Sequence, residues 1–284
     1  MNQQKRWWQL TLICSETLQE LFENICWENG TLGIQNFPDS AHNHFISYWQ
    51  NPDTLHFCIN RCNDLASRLA THIQWTTSEI DDQEWGEKWH AFFKPILVGR
   101  KFLVYPPWDI PVDDYRFKIV INPGQAFGTG YHETTSMMIE ILETIDLKNK
   151  RILDAGCGSG ILSICADRLG AASIFACDID PTAIAETRDN AGRNDIFSLH
   201  CLIGTPEAYR PGTFDLIVAN LDLPAFANHK KTLFSLLKAS GILVLSGILN
   251  TQEKTLKEYF KEHEFEKQDY RYSGEWSAMV LQKR

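Results

Sequence analysis

Three glycines, Gly156, Gly158 and Gly160, follow the apolar pair Ile152-Leu153, and Asp178 closes the next apolar run. Glycines so spaced let a backbone turn tightly and pass close to a ligand, and a carboxylate after the second strand accepts hydrogen bonds from two ribose hydroxyls. The chemistry implied is nucleoside binding. Two ligand classes compete for it. A dinucleotide fingerprint reads G-x-G-x-x-G, its last glycine permitting close helix packing and the helix N-terminus facing a pyrophosphate. Here the spacing is G-x-G-x-G, and Ile161 stands where that last glycine would be. A ligand with ribose and adenine but no phosphate, of which S-adenosylmethionine is the common example, suits this spacing better. A nicotinamide dinucleotide remains the alternative.

Two further places carry chemistry. Residues 122–135 read NPGQAFGTGYHETT, with several glycines, two adjacent threonines and His132 in one short loop. Such a loop takes unusual backbone angles and offers hydrogen-bonding groups, as ligand-holding loops do. A capping turn before a helix at 134–144 explains Thr134 or Thr135 but not all the glycines. His132 is open to two readings, a base or a structural hydrogen bond. Asn220 ends the apolar run 214–219, and Asp154 is expected to tie the glycine turn together.

The elements that must position these residues follow from periodicity. Residues 152–153 and an apolar run ending at Asp178 read as strands around a helix at 161–169, closed by Gly170. Asp180-Pro181 caps a helix running to about residue 194. Strands at 199–203, 214–219, 242–245 and 276–281 alternate with helices at 224–238 and 252–261. Alternating strands and helices imply a parallel sheet, with ligands at the carboxyl ends of its strands. Gly156, Asp178 and Asn220 all fall at such ends, which argues for one site.

The first 80 residues read differently, as a small α+β sandwich without catalytic residues. Strands are expected at 8–12, 32–35, 45–49 and 73–80, and helices at 18–26 and 64–72. Its His42, His44 and His56 lack supporting carboxylates or cysteines and are read as surface or packing residues, so no metal is expected. Trp85, Trp89, Phe92 and Phe93 stand at helical spacing before Pro95, predicting a linker helix over 81–95 with an aromatic stripe. Residues 102–105 and 117–121 read as a hairpin around a proline-rich loop, opening a second domain over 96–284.

Composition bounds the function class. The 284 residues carry a net charge of −9, which argues against nucleic-acid binding through a general positive field. The charge suits a basic protein partner, but solubility alone explains it more simply. Cysteines at 14, 26, 58, 62, 157, 165, 177 and 201 include no C-x-x-C pair and read as buried reduced thiols. The apolar run near residues 7–14 is short and interrupted, and no run is long enough to span a bilayer. A cytoplasmic monomer is expected.

AFGTG-x-H-x-TT, DAGCGSGILSI, DIDP-x-A, TRDNAGRN, VAN and LSGIL occur in an order and spacing that resembles the bacterial ribosomal protein L11 methyltransferases. The DQEWGEKWHAFFKP linker and the closing EW-containing strand are similar as well. DAGCGSGILSI alone would mark only a class I methyltransferase; the loop ahead of it is more specific. The resemblance implies a Rossmann-like α/β methyltransferase domain behind a substrate-recognising first domain. It implies methyl transfer from S-adenosylmethionine to lysine and N-terminal amines of a ribosomal protein, without membrane or direct nucleic-acid partners. Carried to this chain, it places cofactor contacts at Thr135, Gly156, Gly158, Asp178 and Asn220, with Asn220 near the reacting methyl. Tyr131, Glu133 and the run Leu221-Asp222-Leu223 depart from the family pattern. They leave room for a paralogue with a different protein target, or for a noncatalytic protein that binds the cofactor and docks on ribosomes.

Overall fold

The computed structural model describes residues 7–37, 44–80, 93–112, 115–124, 128, 130–260 and 265–284, and the chain divides into two units, Met1–Phe92 and Phe93–Arg284. The first contains β1 (Trp7–Ile13), α1 (Glu16–Glu28), β2 (Gly33–Phe37), β3 (His44–Trp49), α2 (Pro52–Arg68) and β4 (Gln74–Ile80). Its strands form an antiparallel sheet in the order β2-β3-β1-β4, the split β-α-β-β-α-β arrangement. Leu10, Leu12, Phe45 and Trp49 of the sheet pack with Phe22 and Cys26 of α1 and Leu55 and Cys58 of α2. The second helix is longer than its apolar spacing predicts. It starts at Pro52, where Asn51 caps it by accepting from the Asp53 N–H at 2.8 Å and proline needs no partner for a missing N–H.

The second unit opens with β5 (Ile96–Val98), β6 (Phe102–Tyr105) and β7 (Phe117–Val120). β5 and β6 are antiparallel, but β6 and β7 run parallel, so the expected hairpin is absent. The proline-rich segment carries the chain back to the start of β6, setting Phe102 beside Phe117 with ring centroids 5.2 Å apart. Next come α3 (Glu133–Leu142), β8 (Arg151–Ala155), α4 (Ile161–Arg168), β9 (Ser173–Asp178), α5 (Pro181–Arg193), β10 (Leu199–Ile203) and β11 (Phe214–Asn220). They are followed by α6 (Leu223–Leu236), β12 (Leu237–Leu249), α7 (Glu253–Tyr259), β13 (Phe265–Ser273) and β14 (Trp276–Lys283). Strand order in the large sheet is β10-β9-β8-β11-β12-β14-β13. The first five are parallel neighbours, and β14 is antiparallel to both β12 and β13.

Both faces of the sheet are covered at its centre, which is why β8, β11 and β12 are largely apolar. Successive residues feed opposite cores. Ile152, Leu216, Val218 and Val244 pack with Met138 of α3 and Ile164 of α4, while Leu153, Ile217, Ala219 and Leu243 pack with Leu233 of α6 and Leu256 of α7. β12 extends well beyond the 242–245 core predicted for it. β13 was not foreseen, because FEKQDYRYS has too few apolar residues to announce a strand.

The aromatic linker residues Trp85, Trp89 and Phe92 lie outside the described residues, as do Ala126, Phe127 and Thr129 of the glycine-rich loop. All eight cysteines are free, and seven of them are buried. Among the described residues, no helix is long and apolar enough to cross a membrane, and no group of three or more His, Cys, Asp or Glu is arranged to hold a metal.

Candidate active site

β8, β9 and β11 end side by side, and their carboxyl ends open into a cavity of about 480 Å³. Thr135, Gly156, Gly158, Asp178 and Asn220 all line it. Residues more than eighty positions apart in sequence thus meet at one place. The glycine turn is pinned to β9, since the N–H groups of Gly156 and Cys157 donate to the Cys177 carbonyl at 2.8 and 3.2 Å. Asp178 is fixed in turn by backbone donors. Gly158 N–H reaches one carboxylate oxygen at 3.1 Å and Asp180 N–H the other at 3.0 Å. Each oxygen retains a further lone pair.

Asn220 is held from the other side. Its Nδ2 donates to Thr134 Oγ1 at 3.2 Å and Thr135 Oγ1 at 3.5 Å. Its Oδ1 is buried and has no hydrogen-bond partner among the described residues. An orphaned buried acceptor is costly in a finished structure and points to an absent donor. Thr134, which is the nearer of the two hydroxyls, was read from the sequence only as a possible helix cap, a role that His132 fills instead.

Asn220 is placed by a bulge in the neighbouring strand. The β12–β14 register shifts between Leu245 and Ile248, and Gly247 takes φ +90° there. Leu221 N–H donates to the Ser246 carbonyl at 3.0 Å, so the backbone after Asn220 lies directly against the bulge. A Cβ at position 247 would stand 2.5 Å from the Leu221 carbonyl oxygen and 2.9 Å from its nitrogen. The obstacle is backbone, which cannot swing aside, and the φ is strained for any L side chain. Gly247→Ala is therefore expected to cost about 2–4 kcal/mol of stability. Urea denaturation checks this, and an unchanged midpoint would show that the contact relaxes freely.

Charge in the cavity discriminates between the two ligand classes. Asp178, Asp180 and Asp222 line it, and among the described lining residues none is Lys or Arg. A pyrophosphate would meet carboxylates without a cationic partner, whereas a cationic ligand is drawn in. Burial raises the Cys177 thiol to about 12 and pushes the Cys157 thiol higher. Both thiols that line the cavity stay neutral and are poor nucleophiles.

Residues 6–284 match the family model described as ribosomal protein L11 methyltransferase (PrmA). The chain belongs to this family. A ribosomal protein L11 methyltransferase of Pelobacter propionicus is 40% identical over 213 residues, covering 72% of this chain and 69% of that protein. One of Hamiltonella defensa is 30% identical over 277 residues, covering 90% of each. The crystal structure of a ribosomal protein L11 methylase from Lactobacillus delbrueckii subsp. bulgaricus aligns with TM-score 0.63 and 30% identity, over 67% of this chain and 99% of that one.

Within the L11 methyltransferase family pattern, the departures of this chain have local explanations. Asp222 caps α6, its Oδ1 accepting from the Ala225 N–H at 2.8 Å. The Tyr131 hydroxyl is bonded to the backbone of Lys94 and accepts its N–H at 2.6 Å, and the ring packs edge-on against Phe93. Glu133 occupies the first turn of α3, where a negative charge favours a helix. His132 caps the same helix, accepting the Thr134 N–H at 3.3 Å on Nδ1, and burial lowers its pKa. It is not among the lining residues, so the structural reading prevails over the base. His229 does line the cavity, its Nδ1 2.8 Å from Glu207 Oε1; no sequence pattern marked it.

Asp154 is fully buried beneath the glycine turn of this L11 methyltransferase family member and accepts from Ser163 N–H at 3.1 Å and Ser163 Oγ at 2.7 Å. It ties β8 to α4. Burial pushes its carboxyl up to about 7. The folded state therefore holds the proton more tightly than the unfolded chain, whose carboxyl titrates near pH 4. This contribution to stability is full below about pH 4 and is lost as pH rises to about 7. Asp154→Asn, which mimics the protonated carboxyl, is expected to flatten stability between about pH 4 and 7 in urea titrations. A variant with the same loss as the parent would clear Asp154 of that role.

Proposed function

We propose that this chain transfers methyl groups from S-adenosylmethionine to lysine side chains and the N-terminal α-amine of ribosomal protein L11. The observation that carries the proposal is Asn220 Oδ1, a buried and unpartnered acceptor in an acid-lined cavity. Bound S-adenosylmethionine supplies a methyl group on a sulfonium, already activated toward a nitrogen lone pair. The chain's residues then have positioning tasks only. Asp178, oriented by two backbone donors, takes the ribose hydroxyls, and Gly156 and Gly158 let the backbone approach the ligand. Thr135 and Thr134 hold the Asn220 amide, whose Oδ1 accepts an N–H of the acceptor amine and aims its lone pair.

A free lysine amine titrates near 10.4 and an α-amine near 7.7–8.0, so the amine must shed a proton before it reacts. The apolar wall of Ile161, Leu162 and Leu221 works against the pull of the cavity's carboxylates on the ammonium form, and the proton passes to water at the open rim. We assign recognition of the protein substrate to the first unit, on the resemblance alone, and place the protein in the cytoplasm as a monomer.

Incubating the chain with tritiated S-adenosylmethionine and unmodified large ribosomal subunits tests this reading. Label is expected in ribosomal protein L11, on lysine and the N-terminal residue. Label in ribosomal RNA or in another protein overturns the assigned substrate. Cofactor binding without transfer to any ribosomal component would favour a noncatalytic docking protein.

A further inference from the structure

We propose that Asn190, remote from the reacting atoms, is the residue that sets the spacing between the two walls of the cofactor cavity; this rests on the cofactor reading above. Thr187 and Asn190 share one face of α5, and Asn194, its C-cap, follows four residues on. All three are buried, on a face that would ordinarily be apolar. None of the three is spent on solvent.

Their hydrogen bonds run to the backbone of two segments, the glycine turn and residues 120–122. Thr187 Oγ1 donates to the Gly158 carbonyl at 2.8 Å. Asn190 Nδ2 donates to the Ser159 carbonyl at 2.9 Å, and Asn190 Oδ1 accepts the Asn122 N–H at 2.9 Å. One amide therefore joins the glycine turn to the start of the glycine-rich loop. Ser159 closes the same gap further along, its Oγ donating to the Gly128 carbonyl. Gly158 and Gly128, one from each segment, both line the cavity. Asn194 makes a comparable pair of bonds, but to the N–H and carbonyl of Val120 at 2.9 and 2.7 Å, within β7. Asn194 anchors a strand, whereas Asn190 joins two segments that each contribute a glycine to the cavity lining.

The contrast provides the test. Asn190→Ala, Asn190→Asp and Asn194→Ala are each compared with the unaltered chain by S-adenosylmethionine titration calorimetry and by steady-state methyl transfer, at a temperature where circular dichroism shows all to be folded. Asn190→Asp keeps an acceptor for Asn122 but sets an oxygen against the Ser159 carbonyl, so it isolates the arm to the glycine turn. Losing one or two buried hydrogen bonds is expected to weaken cofactor binding and raise its KM about tenfold in both Asn190 variants, with kcat at saturating cofactor changed less than about threefold. Asn194→Ala is expected to lower the melting temperature while leaving cofactor KM within about threefold. Cofactor affinity within threefold of the parent in the Asn190 variant that folds, or an equal KM rise in Asn194→Ala, overturns the assignment. Failure of the unaltered chain to bind S-adenosylmethionine overturns the cofactor reading itself, and this inference with it.

Discussion

Replacing Asn220 by alanine is expected to slow methyl transfer on the order of 10²-fold while leaving S-adenosylmethionine affinity within a few-fold, because orientation of the acceptor is lost and little else. The side chain is locked at its nitrogen by Thr134 and Thr135 and unsatisfied at its oxygen. The truncation takes one N–H donor from the two threonine hydroxyls, whose own O–H groups still donate elsewhere, so the structural penalty is small. Asn220→Asp separates aiming from charge. It retains an oxygen facing the amine, and the two hydroxyls can donate to the other one. The added negative charge stabilises the ammonium form, so its rate is expected to recover at higher pH than the parent's. Single-turnover rates across pH 7 to 10 check both variants. Near-normal turnover of Asn220→Ala at neutral pH would remove Asn220 from the reacting centre.

The second large effect is on binding. Asp178→Ala leaves the N–H groups of Gly158 and Asp180 without their carboxylate acceptor and removes the proposed ribose contacts. Hydrogen bonds to charged groups are worth about 1.5–3 kcal/mol each, so cofactor Kd is expected to rise about 10²- to 10³-fold. Asp178→Asn is expected to do little better, because an amide NH₂ would face one of the two backbone donors. Equilibrium dialysis with labelled cofactor measures the change. Affinity within threefold of the parent in both variants would show that the ribose is held elsewhere.

Much of the site was legible in the sequence because it sits on elements with unambiguous local signals. The apolar run before Asn220 is a strand buried on both faces, and Asp180-Pro181 is a cap that the structure reproduces, Asp180 accepting the Thr182 N–H at 2.8 Å. What stayed hidden depends on pairing. Residues 102–105 and 117–121 carry strand periodicity, but periodicity does not report direction, and they run parallel. β13 is a polar edge strand that alternation of apolar residues could not reveal. Asn51-Pro52 was a start signal that the weaker apolar spacing of α2 obscured. Asn190 and Thr187 look like ordinary solvent-facing positions of an amphipathic helix until the loop at 122–124 and the glycine turn fold over them.

The strand order also fixes when during synthesis the cavity can exist. β8 and β9 are made together and pair directly, but the third wall waits for β11, which must pass β9 and β10 to reach the other side of β8. Pairings across such separations are slow to form. β14 then inserts between β12 and β13, so β12 presents an open apolar edge until the last strand arrives. A nascent chain that has completed α6 owns every described cavity residue while its sheet is still unfinished. Cofactor captured at that stage would brace β8, β9 and β11 while the exposed edge is most prone to aggregate.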